Sequence, residues 1–105
     1  ALAANKFVYR PEDPFILNIT GIAYYNLMNF NVTLIATNNA GIAVWRKNYG
    51  TYNVSGGRSW TNIPLLNTTI YPDATPDNYT FTIQYISSIG ILLAIDSIVI
   101  SVVSI

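Results

Sequence analysis

The sequence predicts an all-β chain folded as an antiparallel β-sandwich, and two observations lead to this prediction. Val, Ile, Thr and Tyr dominate short runs separated by clusters of Gly, Pro, Asn and Asp, while good helix formers are scarce. Within those runs, apolar and polar residues alternate with the period of two that marks a strand with one buried face. About seven such runs, at intervals of about ten residues, are typical of two packed sheets.

The strands can be assigned in order from this alternation. Residues 15–20, 30–37, 42–49 and 78–85 are predicted strands, with turns at 38–41 and 53–57 and with Gly50 closing the third strand. Residues 58–71 hold one or two looser strands, in which Pro64 marks an edge or a bulge. The predicted core faces are Phe15, Leu17 and Ile19, then Phe30, Val32, Leu34 and Ala36, then Tyr79, Phe81, Ile83 and Tyr85.

The C-terminal run from Ile89 to Ile105 is apolar on both faces. Its apolar phase slips by one residue near Asp96, which predicts a bulge or a switch between sheets. A transmembrane helix is the alternative, but the run is short, β-branched and interrupted by an aspartate, whose insertion costs ~3 kcal/mol. The strand is the preferred interpretation. Asp96 is expected to be protonated, hydrogen-bonded to backbone groups, or exposed at the slip.

The composition excludes several classes of function. Only 10% of the residues are charged and the formal net charge is zero, so no basic surface is expected to attract nucleic acid. The chain has neither cysteine nor histidine, and so lacks the usual transition-metal ligands and nucleophile–base pairs. We therefore expect no cofactor, no metal, no catalytic residues and no membrane span. Because the chain begins Ala-Leu-Ala-Ala, it resembles either a product of signal-peptide removal or a trimmed chain.

Asn-x-Ser/Thr acceptor triplets occur five times, where the composition would give roughly two by chance. Three fall on the polar faces of predicted strands and two lie in or near turns, so all five are expected to be exposed. N-glycosylation, and with it an extracellular location, is therefore predicted. The acceptors are Asn18, Asn31, Asn53, Asn67 and Asn78.

Other side chains permit chemistry that simpler roles explain as well. The acid pairs Glu12–Asp13 and Asp73/Asp77 could serve glycoside hydrolysis, but aspartate beside proline also sets up turns. Lys6 or Lys47 could form an isopeptide link to an asparagine, catalysed by a buried acid. Aromatic side chains could stack on sugars, although in a sandwich they pack more often in the core or at its rim. These aromatics are Trp45, Trp60, Tyr24 and Tyr25.

The stretch Pro76-Asp77-Asn78-Tyr79-Thr80-Phe81-Thr82-Ile83 resembles the penultimate strand of immunoglobulin-like domains. Tyr79 lies where those folds place a corner tyrosine, and Ile91–Val103 resembles their last strand. The Cys-Trp-Cys pattern of antibody domains is missing, so the resemblance implies the architecture alone.

The N-terminal stretch has two possible places. Pro11 and Pro14 separate residues 1–10 from the sandwich at 15–105, which makes 11–14 a hinge. In one arrangement, residues 1–9 are the first strand of the same sandwich, with the prolines turning the chain between sheets. In the other, they are a donor strand that completes a neighbouring subunit. The donor residues would be Leu2, Ala4 and Val8 on one face, with Phe7 and Tyr9 on the other.

With its N-terminal extension, proline hinge, cysteine-free β domain and five acceptor triplets, the chain resembles the archaeal thread filaments. These are glycosylated surface fibres of immunoglobulin-like subunits joined by an N-terminal donor strand. The resemblance implies identical subunits joined head to tail in an extracellular filament for adhesion or biofilm contact. The long apolar C-terminal run would receive the donor strand, because a strand of this length left exposed would be an aggregation hazard. A head-to-tail contact that does not close generates a filament.

The alternative function is a stand-alone immunoglobulin-like surface module that binds carbohydrate through exposed aromatics. If residues 2–9 pair with the chain's own sheets, with no adjoining copy involved, the filament prediction fails and only this lone sandwich remains. A filament requires that the same residues pair with the next copy.

Overall fold

The computed structural model describes residues 2–22, 27–54, 59–70 and 74–104. These residues form strands and no helix, which confirms the predicted all-β fold. The strands are β1 (Leu2–Ala4), β2 (Val8–Tyr9), β3 (Pro14–Ile22), β4 (Leu27–Thr37), β5 (Ala43–Val54), β6 (Ser59–Thr69), β7 (Asp77–Ile86) and β8 (Leu92–Val102).

The strands form two sheets that pack as a sandwich. The three-stranded sheet has the order β1-β3-β6, and the five-stranded sheet has the order β2-β8-β7-β4-β5. All pairings are antiparallel except that of β2 with β8, which is parallel. In the immunoglobulin convention, β1, β3 and β6 take positions A, B and E, and β8, β7, β4 and β5 take G, F, C and C′. No strand D is present among the described residues, so the sandwich is immunoglobulin-like with one strand position open beside β6.

The core lies between the sheets and consists mainly of the side chains that the alternation predicts. Tyr79 and Tyr85, at the two ends of the predicted face of β7, are only partly buried. The strands β3, β4 and β7 therefore carry their apolar faces inward, as expected from the period of two. The buried core side chains are Tyr9, Phe15, Leu17, Ile19, Phe30, Val32, Leu34, Ala36, Ile70, Phe81, Ile83, Ile100 and Val102.

The end of β5 differs from the prediction. Gly50 does not close β5, because the strand continues to Val54 and Gly50 takes φ 92° where the pairing with β4 shifts register. The glycine therefore permits a bulge within the strand. The predicted turn at 53–57 begins too early, since Asn53 and Val54 still belong to β5, and residues 55–58 lie outside the described part. Pro64 fits its prediction, as β6 is an edge strand whose register against β3 shifts there.

The C-terminal run is shorter as a strand than predicted. A tight turn over 87–91 interrupts it: the Gly90 N–H donates to the Ser87 carbonyl, and Gly90 takes φ 86°. The register shift lies at the start of β8, opposite Tyr85 and Ile86, and pairing is regular through Asp96. The predicted bulge or switch between sheets near Asp96 is therefore wrong. The transmembrane alternative also fails for this run, and the described residues contain no helix that could cross a membrane.

Tyr79 is the corner tyrosine, as predicted from the resemblance to immunoglobulin-like domains. The Tyr79 hydroxyl donates to the Thr75 carbonyl oxygen at 2.6 Å, tying the start of β7 to the loop before it. This is the tyrosine corner of such sandwiches. Partial burial, followed by the nearby Asp77 charge, raises the pKa of Tyr79 and keeps the hydroxyl protonated as a donor.

Candidate interaction surfaces

The N-terminal segment divides between the two sheets and lies at an edge of each. β1 pairs with β3, and β2 pairs with β8 of the same chain. The chain crosses between the sheets twice, first at residues 5–7 and again at residues 10–13, where Pro11 lies. The predicted change of sheet at the prolines is therefore confirmed, and the crossing at 5–7 is an additional one. A single chain can make these contacts only with itself. The pairing therefore identifies the places of these strands, and not which copy supplies them in an assembly.

The side chains of this segment do not follow the predicted alternation. Leu2 and Ala4 pack against the core, and Tyr9 is fully buried, whereas Phe7 and Val8 remain 65% and 55% exposed. The alternation fails because the crossing between sheets resets the direction of successive side chains. Val8 therefore does not share a face with Leu2 and Ala4.

Tyr9 anchors the segment from inside. Its ring meets Phe15 edge to face at a centroid distance of 5.1 Å. Its hydroxyl lies within donating distance of Asn5 Oδ1 at 2.6 Å and the Lys6 carbonyl at 2.8 Å, and it accepts the Lys6 N–H at 3.0 Å. Asn5 in turn accepts the Ile16 N–H through the same Oδ1. The hydroxyl thus closes the crossing between sheets, and burial raises its pKa.

The predicted hinge at 11–14 lies one residue earlier in the structure, because Pro14 already belongs to β3. The connection from β2 to β3 is a short turn over residues 10–13, and the name hinge is used for these residues from here on. Glu12 takes φ 71°, a left-handed conformation that glycine adopts readily and glutamate does not. The Asp13 carboxylate holds the turn by accepting the Arg10 N–H at 2.8 Å and the Lys6 ammonium at 2.9 Å. The Lys6 hydrogen bond and then that of Arg10 lower the pKa of Asp13 below its ordinary 3.8.

The Asp96 side chain faces the interior of the sandwich and forms a hydrogen bond with the first residue of β1. It is paired with Ile83 across the five-stranded sheet, and its Oδ2 accepts the Leu2 N–H at 2.7 Å. Its Oδ1 accepts the Ser97 N–H at 2.9 Å. The expectation that this carboxylate is bonded to backbone groups is thus confirmed. Tyr85 lies nearby, and burial, reinforced by the Asp96 charge, raises the pKa of Tyr85 to about 12.

An open apolar cleft of about 540 Å³ lies between the sheets where strand D would stand. Phe15 and Phe81 contribute to its lining from opposite sheets, while Trp45 from β5 and Leu66 from β6 flank it. The cleft forms because β5 extends the larger sheet beyond β6, leaving part of its inner face uncovered. Trp45 is partly buried and packs against the core, with its ring 6.5 Å from that of Phe81.

A second apolar surface is the turn between β7 and β8 with the residue after it, 87–92, which we call the tip. Ile89 is 79% exposed, and Ile91 and Leu92 are also exposed. These three side chains place aliphatic surface in contact with solvent at this end of the sheet.

The glycan acceptors differ in accessibility. Asn67, on the edge strand β6, and Asn78, at the start of β7, are exposed, while Asn18 and Asn31 are half-buried on the outer faces of their sheets. Asn31 accepts a hydrogen bond from the Thr51 hydroxyl, and Asn78 from that of Ser101. The Asn53 backbone lies in β5, and its side chain is outside the described residues.

The chemical alternatives find little geometric support. Glu12 is exposed and Asp13 is engaged in the hinge, so this pair has a turn role; Asp73 lies outside the described residues. Lys6 is bound to Asp13, and the Lys47 ammonium lies 4.9 Å from the Tyr49 ring centroid. Among the described residues, no three acidic side chains gather as a metal site.

Of the aromatic candidates, only Trp45 has a described side chain. Tyr24, Tyr25 and the side chain of Trp60 lie outside the described residues.

Two features escaped the sequence interpretation. Ser87-Ser88-Ile89-Gly90 repeats the polar-x-x-glycine pattern of the predicted turn Asn38-Asn39-Ala40-Gly41, and both glycines have positive φ. That pattern could have placed the tip. The cleft had no local signal, because it depends on which strands lie above one another.

Comparisons with known proteins bear on the fold alone. No protein-family model and no curated protein matches the chain. Among solved structures, the chain is similar to the sporulation control protein Spo0M from Bacillus subtilis, with a TM-score of 0.65 at 13% identity. The likeness covers 97% of this chain and 47% of that protein, so this chain spans about half its length.

Proposed function

We propose that the chain is the structural subunit of an extracellular, glycosylated filament assembled by exchange of the N-terminal strands. β1 and β2 of one copy would occupy, on the next copy, the sheet edges that they occupy within the single chain. The filament would serve adhesion or biofilm contact without catalysis, as in the archaeal threads that the sequence resembles.

The observation that carries this proposal is the hinge. Two edge strands are joined to the body only through residues 10–13, which contain Pro11 and the left-handed Glu12. A non-glycine residue in this conformation stores roughly 1–3 kcal/mol, which opening would release. Short hinge loops under strain favour exchange between copies over closure within one.

Exchange changes little else in the free energy. On another copy, β1 and β2 would pair with the same strands, β3 and β8, as they do within one chain. Tyr9 would be buried in the same core, and the Leu2 N–H would again donate to an Asp96 carboxylate. Pairing of the N-terminal strands within one chain competes with exchange, because the covalent connection gives these strands an effective concentration in the millimolar range. A strain of roughly 1–3 kcal/mol lowers the subunit concentration needed for exchange by about 5- to 150-fold. Crowding at a cell surface can supply the remainder.

The hinge also limits the geometry of such a filament. Four extended residues span about 13 Å, so exchanging neighbours must bring their hinge ends within that distance. When the donor and acceptor surfaces differ and the rotation does not close, the chain of exchanges continues as an open fibre.

A pair of engineered cysteines tests the exchange directly, since the chain has no cysteine of its own. Ala3 and Asn18 are direct partners between β1 and β3, and partners in a ladder have Cα atoms about 5 Å apart, within reach of a disulfide. We expect oxidised Ala3→Cys/Asn18→Cys protein, assembled at high concentration, to give covalent multimers on a denaturing gel.

The control is Thr80→Cys/Val99→Cys, a partner pair between β7 and β8 that stays within one chain in either arrangement. It should give monomers under all conditions. If the Ala3/Asn18 pair also gives only monomers in assembled material, the exchange is wrong and no filament of this kind exists.

The pairing within one chain favours a second candidate, the stand-alone surface module. Here the cleft would be the binding site, with Trp45 as the aromatic surface for a sugar. Oligosaccharide-dependent quenching of tryptophan fluorescence that disappears in Trp45→Phe, in a protein that stays monomeric, would support this module over the filament.

A further inference from the structure

We propose that Asp96 is an edge-blocking residue, which prevents the open edge of β8 from pairing with the same edge of a second copy. The carboxylate thereby suppresses side-by-side association of sandwiches through their larger sheets. This role concerns a different surface from the exchange of N-terminal strands, and it holds whether or not a filament forms.

The edge of β8 that faces away from β7 is open over most of its length. β2 pairs with only the last two residues of β8, and no other described strand lies on that side. The Ser101 and Val103 N–H groups donate to β2. Because the backbone groups of every second residue in a strand point to the same side, those of Ile95, Ser97 and Val99 face the open edge.

This edge has the properties of a strand that pairs with another copy. Ile95 and Val99 are 56% and 54% exposed on the outer face of the sheet, with Ser97 between them. The stretch 95–99 has the length of a typical strand. Antiparallel pairing about Ser97 would place Ile95 of one copy opposite Val99 of the other, aliphatic against aliphatic. An exposed edge of this kind associates with other copies unless something blocks it.

Asp96 lies at the centre of the open edge and engages its middle donor. Its Oδ1 accepts the Ser97 N–H at 2.9 Å. Its Oδ2 accepts the Leu2 N–H of β1, which is the edge strand of the other sheet. One carboxylate thus engages a backbone donor on each of two neighbouring sheet edges. Asp96 is also the only charged residue in the sequence from 87 to 105.

The carboxylate opposes pairing because an incoming strand needs the donor that it occupies. A strand added about Ser97 would take the Ser97 N–H for its own ladder and displace the Asp96 Oδ1. Between two copies related by a twofold axis, this displacement would occur twice. Each carboxylate would then lose a hydrogen bond while it becomes covered by the aliphatic contact, which is costly for a charged group. Inward-pointing charges are one means by which edge strands are kept from pairing.

The full-length variant Asp96→Ala tests the block by its association in solution. We expect the dissociation constant of its dimer, measured by sedimentation over a concentration series, to fall at least tenfold below that of the parent. The control is Asp77→Ala, which also removes a carboxylate that accepts backbone N–H groups, but at the other end of the sheet. This control should associate no more strongly than the parent.

The double variant Asp96→Ala/Ser97→Pro locates the contact on the edge of β8. Proline has no N–H and is tolerated where the N–H faces away from the neighbouring strand, as that of Ser97 does. Association should therefore return to the level of the parent, although the bond from Asp96 to β1 is still missing. Dimers formed by exchange of N-terminal strands do not involve Ser97 and would persist in this variant.

Two results would overturn the proposal: Asp96→Ala that associates no more strongly than the parent, or a double variant that associates as strongly as Asp96→Ala. All variants should keep the circular dichroism spectrum of the parent. If Asp96→Ala does not, Asp96→Asn replaces it, because it removes the charge and keeps an acceptor for β1. Stronger association than the parent is again expected, and its absence has the same meaning.

Discussion

Single hydroxyl groups stabilise two of the places where the chain passes from one sheet to the other. Tyr79 fixes the loop before β7 with one hydrogen bond, and Tyr9 fixes the crossing between β1 and β2 with a network around Asn5 and Lys6. Both rings pack against or within the core while their hydroxyls reach backbone groups. At this scale, tyrosine serves where phenylalanine would leave polar backbone atoms without a partner.

The variant Tyr79→Phe tests this role. It removes the bond to the Thr75 carbonyl while keeping the ring, and we expect the free energy of unfolding to fall by about 0.5–1.5 kcal/mol in urea titration. Tyr9→Phe should cost more, because it removes the acceptor of the Lys6 N–H as well as the donor to Asn5 Oδ1 and the Lys6 carbonyl. Equal stabilities for Tyr79→Phe and the parent would show that the corner bond contributes nothing.

Among the elements, β1 depends most on a single side chain from elsewhere. It is a strand of three residues at a sheet edge, and an edge strand of this length has few ladder bonds. The Asp96 carboxylate adds a charge-assisted bond to its first N–H. The acid that interrupts an apolar strand therefore has a positional role between the two sheets.

Replacing Asp96 by alanine should loosen β1 specifically. A hydrogen bond to a charged group contributes about 1.5–3 kcal/mol, so amide exchange in residues 2–5 should accelerate by roughly tenfold or more. Asp96→Asn, which keeps an acceptor oxygen, should restore most of the protection. Both substitutions should lower the pKa of Tyr85 from about 12, since they remove the neighbouring negative charge.

The control for β1 is Asp77→Ala. That carboxylate binds the Asn39 and Asn78 N–H groups at the far end of the sheet, so its loss should leave residues 2–5 protected. If Asp96→Ala and Asp77→Ala accelerate exchange in β1 alike, the effect is a general loss of stability and the proposed tie is wrong.

For the whole molecule, the low content of charge limits the response to acid. Few carboxylates are present to be protonated, and the stability of the fold is expected to depend weakly on pH. Asp13 is an exception to this weak dependence on pH, because its pKa is lowered in the folded chain. Its contribution is present above the unfolded value of 3.8 and is lost as pH falls through the folded pKa.

The variant Asp13→Asn should therefore unfold at lower urea concentration than the parent at pH 7, and the difference should disappear as the pH falls below 3.8 and through the folded pKa of Asp13. Because Asp13 holds the hinge, the same variant should also exchange N-terminal strands at lower protein concentration. A difference in urea midpoint that persists unchanged into acid would assign the effect to packing and not to the charge.

The sequence by itself determined most of the strands and their buried faces, because those features follow from the period of two and from local turn chemistry. The position of the corner tyrosine follows from the resemblance to immunoglobulin-like domains. It did not determine where the N-terminal residues pair, that Asp96 faces β1, or that a cleft is open beside β6. These depend on which strands become neighbours across two layers, and residues distant in the chain decide that together. Strand alternation is a local property of the sequence. The open strand position beside β6 is not, because it depends on how far the other sheet extends opposite that strand.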